Sequence, residues 1–204
     1  MANFIQNFLR RRRYGAPIVI VSGLPRSGTS MMMKMLDAGG VPIMTDAIRT
    51  ADVDNPKGYY EYERVKALEK ETDKSYVREA RGKALKVISF LLKDLPDDNF
   101  YRVIFMRRHL DEVIDSQNKM LDRRGEKAIN DHQVMADAYR NHLAGVKVLV
   151  RKRPNFELLD VRYDEAVKSP REAVRAVNAF LGGRLDEAAM LAVVDAELYR
   201  NRRG

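Results

Sequence analysis

The amino-acid sequence predicts an α/β protein of three layers, in which a parallel sheet of about four to five strands carries helices on both faces. Short β-branched apolar runs alternate with helical patterns along 204 residues, and that alternation is typical of parallel sheets covered on both sides. The composition, 45% hydrophobic and 32% charged, is typical of a folded globular chain. Because no internal repeat or low-complexity segment interrupts the pattern, we expect one domain over residues 1–204.

The first half of the chain supplies the first strand and two helical patterns. Residues 18–22 consist of four apolar β-branched residues followed by Ser22, which predicts a buried strand. Residues 31–38 predict a short helix that ends at Gly39 and Gly40. Residues 41–58 show no sustained period and predict a long connection, which in compact domains is often functional. Residues 60–81 predict a charged helix with a sparse apolar stripe.

The second half repeats the alternation of strands and helices. Three more strands are predicted at residues 84–88, 101–106 and 156–161. Four helices are predicted at residues 110–123, 129–153, 170–181 and about 186–199. In parallel sheets the ligand lies beyond the carboxyl ends of the strands, so the residues directly after each strand are the first candidates for a functional site.

The charge balance favours an anionic partner. The formal net charge is +8, which suits a nucleotide, a nucleic acid, an anionic lipid or an acidic substrate. Much of the excess lies in a basic N-terminal segment (residues 1–15) and a basic C-terminal tail (residues 196–204). There is no cysteine, so disulfides and thiolate chemistry are excluded. With no secretory signal and no apolar stretch long enough to span a bilayer, we expect a cytoplasmic protein.

The basic N-terminal segment allows two interpretations. Phe4, Ile5, Phe8 and Leu9 precede four arginines at helical spacing, which is compatible with an amphipathic helix on a membrane surface. The same pattern is compatible with a helix docked on its own domain or with a solvated basic end, and we favour that interpretation over peripheral membrane contact.

The segment from residue 17 to residue 30 carries the clearest functional signal. A strand, a turn bounded by Gly23 and Gly28, and a helix start follow one another, and this layout surrounds one point with backbone N–H groups that can hold phosphate. The two glycines have the spacing of the P-loop G-x-x-x-x-G-K-[ST], but Thr29 stands where the lysine belongs. The nearest cation is Arg26. We therefore predict a P-loop-like anion site that is not an ordinary ATPase.

A second element follows the third predicted strand. Arg108 leaves the strand, and Ser116 comes two helical turns later. An arginine fork and a serine hydroxyl at this spacing can converge on one phosphate, although the pair alone is weak evidence.

Three motifs in order resemble those of the sulfotransferases that use 3′-phosphoadenosine 5′-phosphosulfate (PAPS). They are the Pro-Arg-Ser-Gly-Thr loop, the Arg108 to Ser116 spacing, and the segment 158–170 followed by Phe-Leu-Gly at 180–182. The resemblance spans about residues 17–182 and implies PAPS as co-substrate, a hydroxyl or amine acceptor and no metal. It implies a 5′-phosphosulfate loop made of Pro25, Arg26, Ser27, Gly28, Thr29 and Ser30. It also implies that Arg108 and Ser116 hold the 3′-phosphate, while Arg26 stabilises charge on the leaving phosphate.

The general base is where the sequence departs from that family. Small-molecule sulfotransferases carry a Lys-Thr-His run after the second strand, and Ser89 falls where its histidine would lie. Other members use a glutamate after the first helix, so Asp46 and Glu61 are our candidates for the base. A turn or capping residue is the alternative for Asp46, and a first-turn carboxylate is the alternative for Glu61.

The remaining polar residues near the predicted strand ends carry weaker signals. His132 and His142 lie in one predicted helix without the i,i+4 spacing of a metal pair. Asp111 and Glu112 are interpreted as capping or solvated residues. Lys86 either reaches the sulfuryl group or is an ordinary lysine at a sheet end.

Two rival functions remain open on the sequence. A non-catalytic nucleotide-binding module of the same fold is favoured by Ser89 in place of a histidine. A P-loop nucleotide kinase or NTPase would need a lysine after Gly28. A nucleic-acid partner is not expected, because the basic residues do not alternate with aromatic ones.

Overall fold

The structure is a computed structural model that describes residues 9–46, 60–123, 125–126 and 131–194. Most of the predicted long connection, the C-terminal tail, and Phe4, Ile5 and Phe8 lie outside these residues. The strands are β1 (Ile18–Gly23), β2 (Ala84–Lys86), β3 (Tyr101–Arg107) and β4 (Phe156–Arg162). The α-helices are α1 (Thr29–Ala38), α2 (Leu110–Arg123), α3 (His132–Lys152), α4 (Tyr163–Lys168), α5 (Pro170–Leu181) and α6 (Glu187–Ala192). Three 3₁₀ helices cover Glu63–Ala67, Ser75–Ala80 and Ser89–Asp94, and residues 9–14 are helical.

All four strands run parallel in the order β2-β1-β3-β4, which confirms the predicted α/β class. Ile20 is in register with Leu85 on one side and Val103 on the other, and Val103 is in register with Leu158. Because every strand points the same way, the chain leaves all four at one edge of the sheet. The candidate phosphate loop follows β1 at that edge.

Two apolar clusters cover the two faces of the sheet. Ile18 and Ile20 face the side where α3 and the three 3₁₀ helices pack, whereas Val19 and Val21 face α1, α5 and α6. All six residues of β1 are buried, as expected for a central strand covered on both sides. The loop after β1 therefore leaves the sheet from a strand that is buried along its whole length.

The helical residues 9–14 dock on the domain. Tyr14 is 7% exposed and its ring stacks on Phe100. Arg10 pairs with Glu157, and its guanidinium carbon lies 4.9 Å from the centre of the Phe100 ring. These contacts fit the docked interpretation, although Leu9 remains exposed. Within the residues described, no helix has the length and apolar character needed to cross a membrane.

Two of the expected elements differ from the structure. The single helix predicted for residues 60–81 is wrong, because this stretch folds into two short 3₁₀ helices. Its apolar residues Val65, Leu68 and Val77 are buried in the core on one face of the sheet, and these contacts override the helical preference of a charged segment. The second strand is also shorter than predicted. It ends at Lys86, and Ser89 begins a 3₁₀ helix.

Replacement of Gly23 by alanine should destabilise the fold. Gly23 has φ of 154°, and an added Cβ would lie 2.6 Å from the Met106 carbonyl oxygen and against the Ser27 hydroxyl. Strain of this kind costs about 1–3 kcal/mol, which urea unfolding would measure. The matched control is Gly145→Ala inside α3, where the added carbon meets nothing within 4 Å apart from its chain neighbours and the backbone of its own helix. Gly145→Ala should instead raise the free energy of unfolding by about 0.5–1 kcal/mol. Equal changes in stability for the two variants would contradict this account.

Candidate active site

The loop between β1 and α1 has an unusual backbone conformation. Gly28 has φ of 98°, and Arg26 has φ of 68°, a left-handed conformation that is uncommon outside glycine. Alternation of left- and right-handed residues turns successive N–H groups toward one point and forms a concave anion site. Backbone strain at a non-glycine residue is often kept where function requires the geometry.

The helix that follows the loop begins without a capping side chain. Gly28 is the N-cap of α1, with no side-chain cap hydrogen bond and no acidic residue in the first turn among the described residues. The first N–H groups of a helix need acceptors, and its positive dipole end favours an anion. Gly28 must also lack a side chain, because a Cβ there would overlap the Tyr163 ring, whose Cε2 would be 2.7 Å away.

Three residues singled out in the sequence converge at this loop. Arg26 donates a hydrogen bond from Nε to Ser116 Oγ at 3.0 Å. Arg108 donates one from Nη1 to the Arg26 carbonyl oxygen at 3.2 Å. The predicted 5′-phosphosulfate loop and the predicted 3′-phosphate pair therefore lie in direct contact.

Arg108 is held in a buried, fixed orientation. Its Nε donates to Glu112 Oε2 at 2.9 Å, and the side chains of the pair are 8% and 6% exposed. The guanidinium carbon lies 4.8 Å from the centre of the Tyr163 ring. Glu112 is not solvated, because it is buried and pairs with Arg108, although it does lie in the first turn of α2. Its i,i+4 spacing from Arg108 is the sequence signal that could have revealed the pair.

Lys86 brings a second cation to the start of α1. Its Nζ donates to Ser30 Oγ and to Glu61 Oε1, both at 3.2 Å, and its side chain is 10% exposed. Glu61 also pairs with Lys66 at 3.0 Å. Burial alone would raise the pKa of Glu61, but the two lysines outweigh burial and lower it. An ionised Glu61 therefore holds Lys86 beside the loop.

Asp46 has a different environment. Its Oδ2 accepts a hydrogen bond from the Glu63 backbone N–H at 2.6 Å, at the start of a 3₁₀ helix. This is the capping arrangement that the sequence left open as the alternative to a catalytic base. The structure thus brings Glu61 into contact with Lys86 at the loop and places the Asp46 carboxylate on a backbone N–H.

Sequence reasoning missed the contact between His142 and Ser89. His142 Nε2 lies 2.8 Å from Ser89 Oγ, and the imidazole ring stacks on Phe90 with 3.9 Å between ring centres and 17° between planes. Burial, followed by the positive charge of Lys93, lowers the pKa of His142. The pair is 53 positions apart in sequence, so no local spacing could have revealed it. Only the packing of α3 beside the end of β2 brings the two together.

A cavity of about 440 Å³ opens beside the loop, between the end of β3 and α3. It is lined by Leu24, Ser27, Phe105, Met106, Arg107, Arg108, His109, Leu110, Asp111, Arg140, Leu143, Ala144 and Lys147. Ser27 is 1% exposed, and its hydroxyl has no hydrogen-bond partner among the described residues. A buried hydroxyl without a partner is costly, which fits a loop that is completed by a ligand.

The comparison with known families agrees with this geometry, since the model of the sulfotransferase domain matches residues 16–203. The chain belongs to the sulfotransferase family. In fold, this sulfotransferase is similar to the sulfotransferase STF9 from Mycobacterium avium (TM-score 0.53, 16% identity, 94% of this chain and 71% of that chain). It is also similar to mouse sulfotransferase SULT7A1, solved in complex with PAP (TM-score 0.52, 11% identity, 91% of this chain and 67% of that chain). No curated protein sequence matches the chain. The family resemblance drawn from three motifs is confirmed.

The ion pair of Glu61 in this sulfotransferase predicts a pH-dependent stability. Because the pKa of Glu61 is lower in the folded protein, its carboxylate contributes stability that is complete above the ordinary glutamate pKa of about 4.3. That contribution is lost as the pH falls through the lower, folded pKa. Glu61→Gln should therefore reduce the free energy of unfolding at pH 7, and the difference from the wild type should shrink toward pH 3 in urea titrations.

The control for this series is Glu63→Gln. Glu63 pairs with the same Lys66 but its side chain is 37% exposed, so its removal should change stability by less than about 1 kcal/mol. A Glu61→Gln difference that stays constant from pH 7 to pH 3 would contradict the assignment.

Proposed function

We propose that this sulfotransferase moves the sulfuryl group of PAPS to a hydroxyl or amine of its acceptor. The observation that carries the proposal is the convergence of Arg26, Ser116 and Arg108 at the end of the sheet. Two anion-binding elements in contact suit a donor that carries a phosphosulfate at the 5′ position and a phosphate at the 3′ position.

In this proposal the 5′-phosphosulfate lies against residues 25–30. Pro25, Ser27 and Gly28 shape the loop, its backbone N–H groups donate to the phosphate, and the hydroxyls of Thr29 and Ser30 add further donors. During transfer the bond from sulfur to the phosphate oxygen breaks, and negative charge builds on that phosphate. Donors that are already oriented stabilise such charge without reorganisation.

The 3′-phosphate is assigned to Arg108 and Ser116. Glu112 and Tyr163 hold the guanidinium in one plane, so little side-chain entropy is lost when it binds a phosphate. A planar fork of N–H donors also matches phosphate geometry better than a lysine would.

Lys86 is proposed to supply the ammonium group that the loop lacks, because Thr29 stands in place of the P-loop lysine. Its contact with Ser30 brings an ammonium group to the point where a P-loop lysine would otherwise act. Glu61 is then a positioning residue, since its carboxylate is shared by Lys66 and Lys86 and is a weak base with a lowered pKa. Asp46, which accepts the Glu63 N–H, is proposed to hold this segment in place.

A non-catalytic nucleotide-binding module is the second candidate function. One observation favours it, namely that Ser89 stands where related enzymes have a histidine base. Both candidates predict donor binding, whereas a kinase or NTPase predicts binding of Mg²⁺-ATP.

Calorimetry with 3′-phosphoadenosine 5′-phosphate (PAP) tests the donor assignment. PAP should bind without metal and more tightly than AMP, because the 3′-phosphate adds charge-assisted hydrogen bonds. Arg108→Ala should abolish that preference, a loss of about 10- to 100-fold for bonds of about 1.5–3 kcal/mol.

The matched control is Arg107→Ala, one residue earlier. Arg107 is 41% exposed and lies 3.9 Å from Asp160, so its variant should keep the preference for PAP over AMP. Binding of Mg²⁺-ATP in the absence of PAP binding would overturn the donor assignment, and an unchanged preference in Arg108→Ala would overturn the role of Arg108.

A further inference from the structure

We propose, resting on the sulfotransferase function above, that Ser89 and His142 form a hydroxyl–imidazole relay that takes the proton of the acceptor. Ser89 would contact the acceptor oxygen and is the catalytic residue of the pair. His142 acts through Ser89 and is a positioning and proton-accepting residue. The imidazole that accepts the proton thus lies on α3, whereas small-molecule sulfotransferases carry their histidine base after the second strand.

The pair lies at the edge of the sheet where the reaction is proposed. β2 ends at Lys86, which contacts Ser30, and Ser89 begins the 3₁₀ helix three residues later. The turn of α3 that carries His142 also carries Tyr139 and Leu143, which pack with Leu24. Because Leu24 is the first residue after β1, the pair lies beside the base of the loop.

The geometry is that of a hydrogen bond whose partners cannot turn away from each other. The separation of 2.8 Å between Ser89 Oγ and His142 Nε2 is in the usual range, and Ser89 is 2% exposed. Phe90 stacks on the imidazole and fixes its plane. Ile88 and Phe90, on either side of Ser89, are each 39% exposed. An acceptor bound on these two apolar side chains would lie next to the serine.

The charges around His142 favour its neutral form. Burial disfavours an imidazolium and lowers the pKa of His142, and the charge of Lys93, on the 3₁₀ helix that also carries Ser89, lowers it further. Tyr139, on the same side of α3, has its pKa raised by burial and stays a neutral phenol. Neutral imidazole is the form that can accept a proton, so the relay is in its active state at neutral pH.

The step balances without a further reactant. The acceptor oxygen forms the bond to sulfur as the bond from sulfur to the 5′-phosphate oxygen breaks, and the bond electrons leave with PAP. The acceptor proton passes to Ser89 Oγ while the serine proton passes to His142 Nε2. The products are the sulfate ester, PAP and an imidazolium that later returns its proton to solvent.

The other two histidines of the chain lack such a partner hydroxyl among their described contacts. His109 and His132 are 55% and 45% exposed, and both approach Asp111, at 3.5 and 3.6 Å. They therefore provide controls on the same protein, and His132 lies on the same helix as His142.

The imidazole tautomer tests the relay without any acceptor. The chain has three histidines, so nitrogen-15 NMR of the rings can be assigned with His142→Gln and His132→Gln. The relay predicts a His142 ring that is protonated at Nδ1 and accepts from Ser89 at Nε2, with an Nε2 shift that changes in Ser89→Ala. A proton on Nε2, donated to Ser89, would overturn the proposal whether or not turnover is detected.

Turnover provides the second test, with PAPS as donor and 2-naphthol or water as the acceptor probe. His142→Gln and Ser89→Ala should lower kcat by about 10²- to 10⁴-fold, with an unchanged KM for PAPS and unchanged affinity for PAP. The kcat of the wild type should rise with pH through a pKa below that of ordinary histidine. This rising limb of the pH profile should be absent in His142→Gln. Ser89→Thr, which keeps the hydroxyl, should retain most of the rate, and His132→Gln should match the wild type.

The outcomes separate the two proposals. Absence of PAP binding by the wild type would overturn the sulfotransferase proposal itself. Intact PAP binding with an unchanged kcat and pH limb in His142→Gln would overturn the relay alone. A pH limb that disappears in Glu61→Gln but persists in His142→Gln would assign the base to Glu61 instead.

Discussion

The hydrogen bond from Arg26 Nε to Ser116 Oγ joins the loop after β1 to the helix after β3. Arg108 closes the same arrangement from the neighbouring strand end by donating to the Arg26 carbonyl oxygen. Because β1 and β3 are adjacent and parallel, these two contacts lock the left-handed conformation of Arg26. The loop therefore depends on the sheet order for its shape, and the proposed anion site depends on the loop.

Carboxylates in this site serve the cations around them. Glu112 orients Arg108, and Glu61 holds Lys86 beside Ser30. A lysine in the loop would carry its charge on a flexible stem, whereas Lys86 is fixed between two partners from different segments. Breaking such a pair leaves a buried charge without compensation. Of the two carboxylates that the sequence suggested as catalytic bases, Glu61 thus orients a cation, whereas Asp46 accepts a hydrogen bond from a backbone N–H.

The features that could be predicted from the sequence are those formed by residues close together in the chain. The loop 25–30 and the pair Arg108 and Ser116 each lie within one strand–turn–helix unit, where spacing determines which side chains share a face. Lys86 with Ser30, and Ser89 with His142, come from segments 56 and 53 positions apart, and only the packing of whole elements defines them. The wrong helix at residues 60–81 has a related cause. Its apolar residues find partners in the core, and those contacts override the helical preference of a charged segment.

The location of His142 has a consequence for how the site is assembled. A histidine on a strand end is held by the sheet, but His142 is held by the packing of α3 against Leu24 and by its stack on Phe90. Leu24 directly precedes the donor loop at residues 25–30, and Phe90 belongs to the segment after β2 that borders the proposed acceptor position. The side chains that position the imidazole therefore lie next to the donor loop on one side and to the proposed acceptor position on the other. A displacement of either element would therefore move the proposed base, whereas removal of the imidazole alone leaves the donor loop in place.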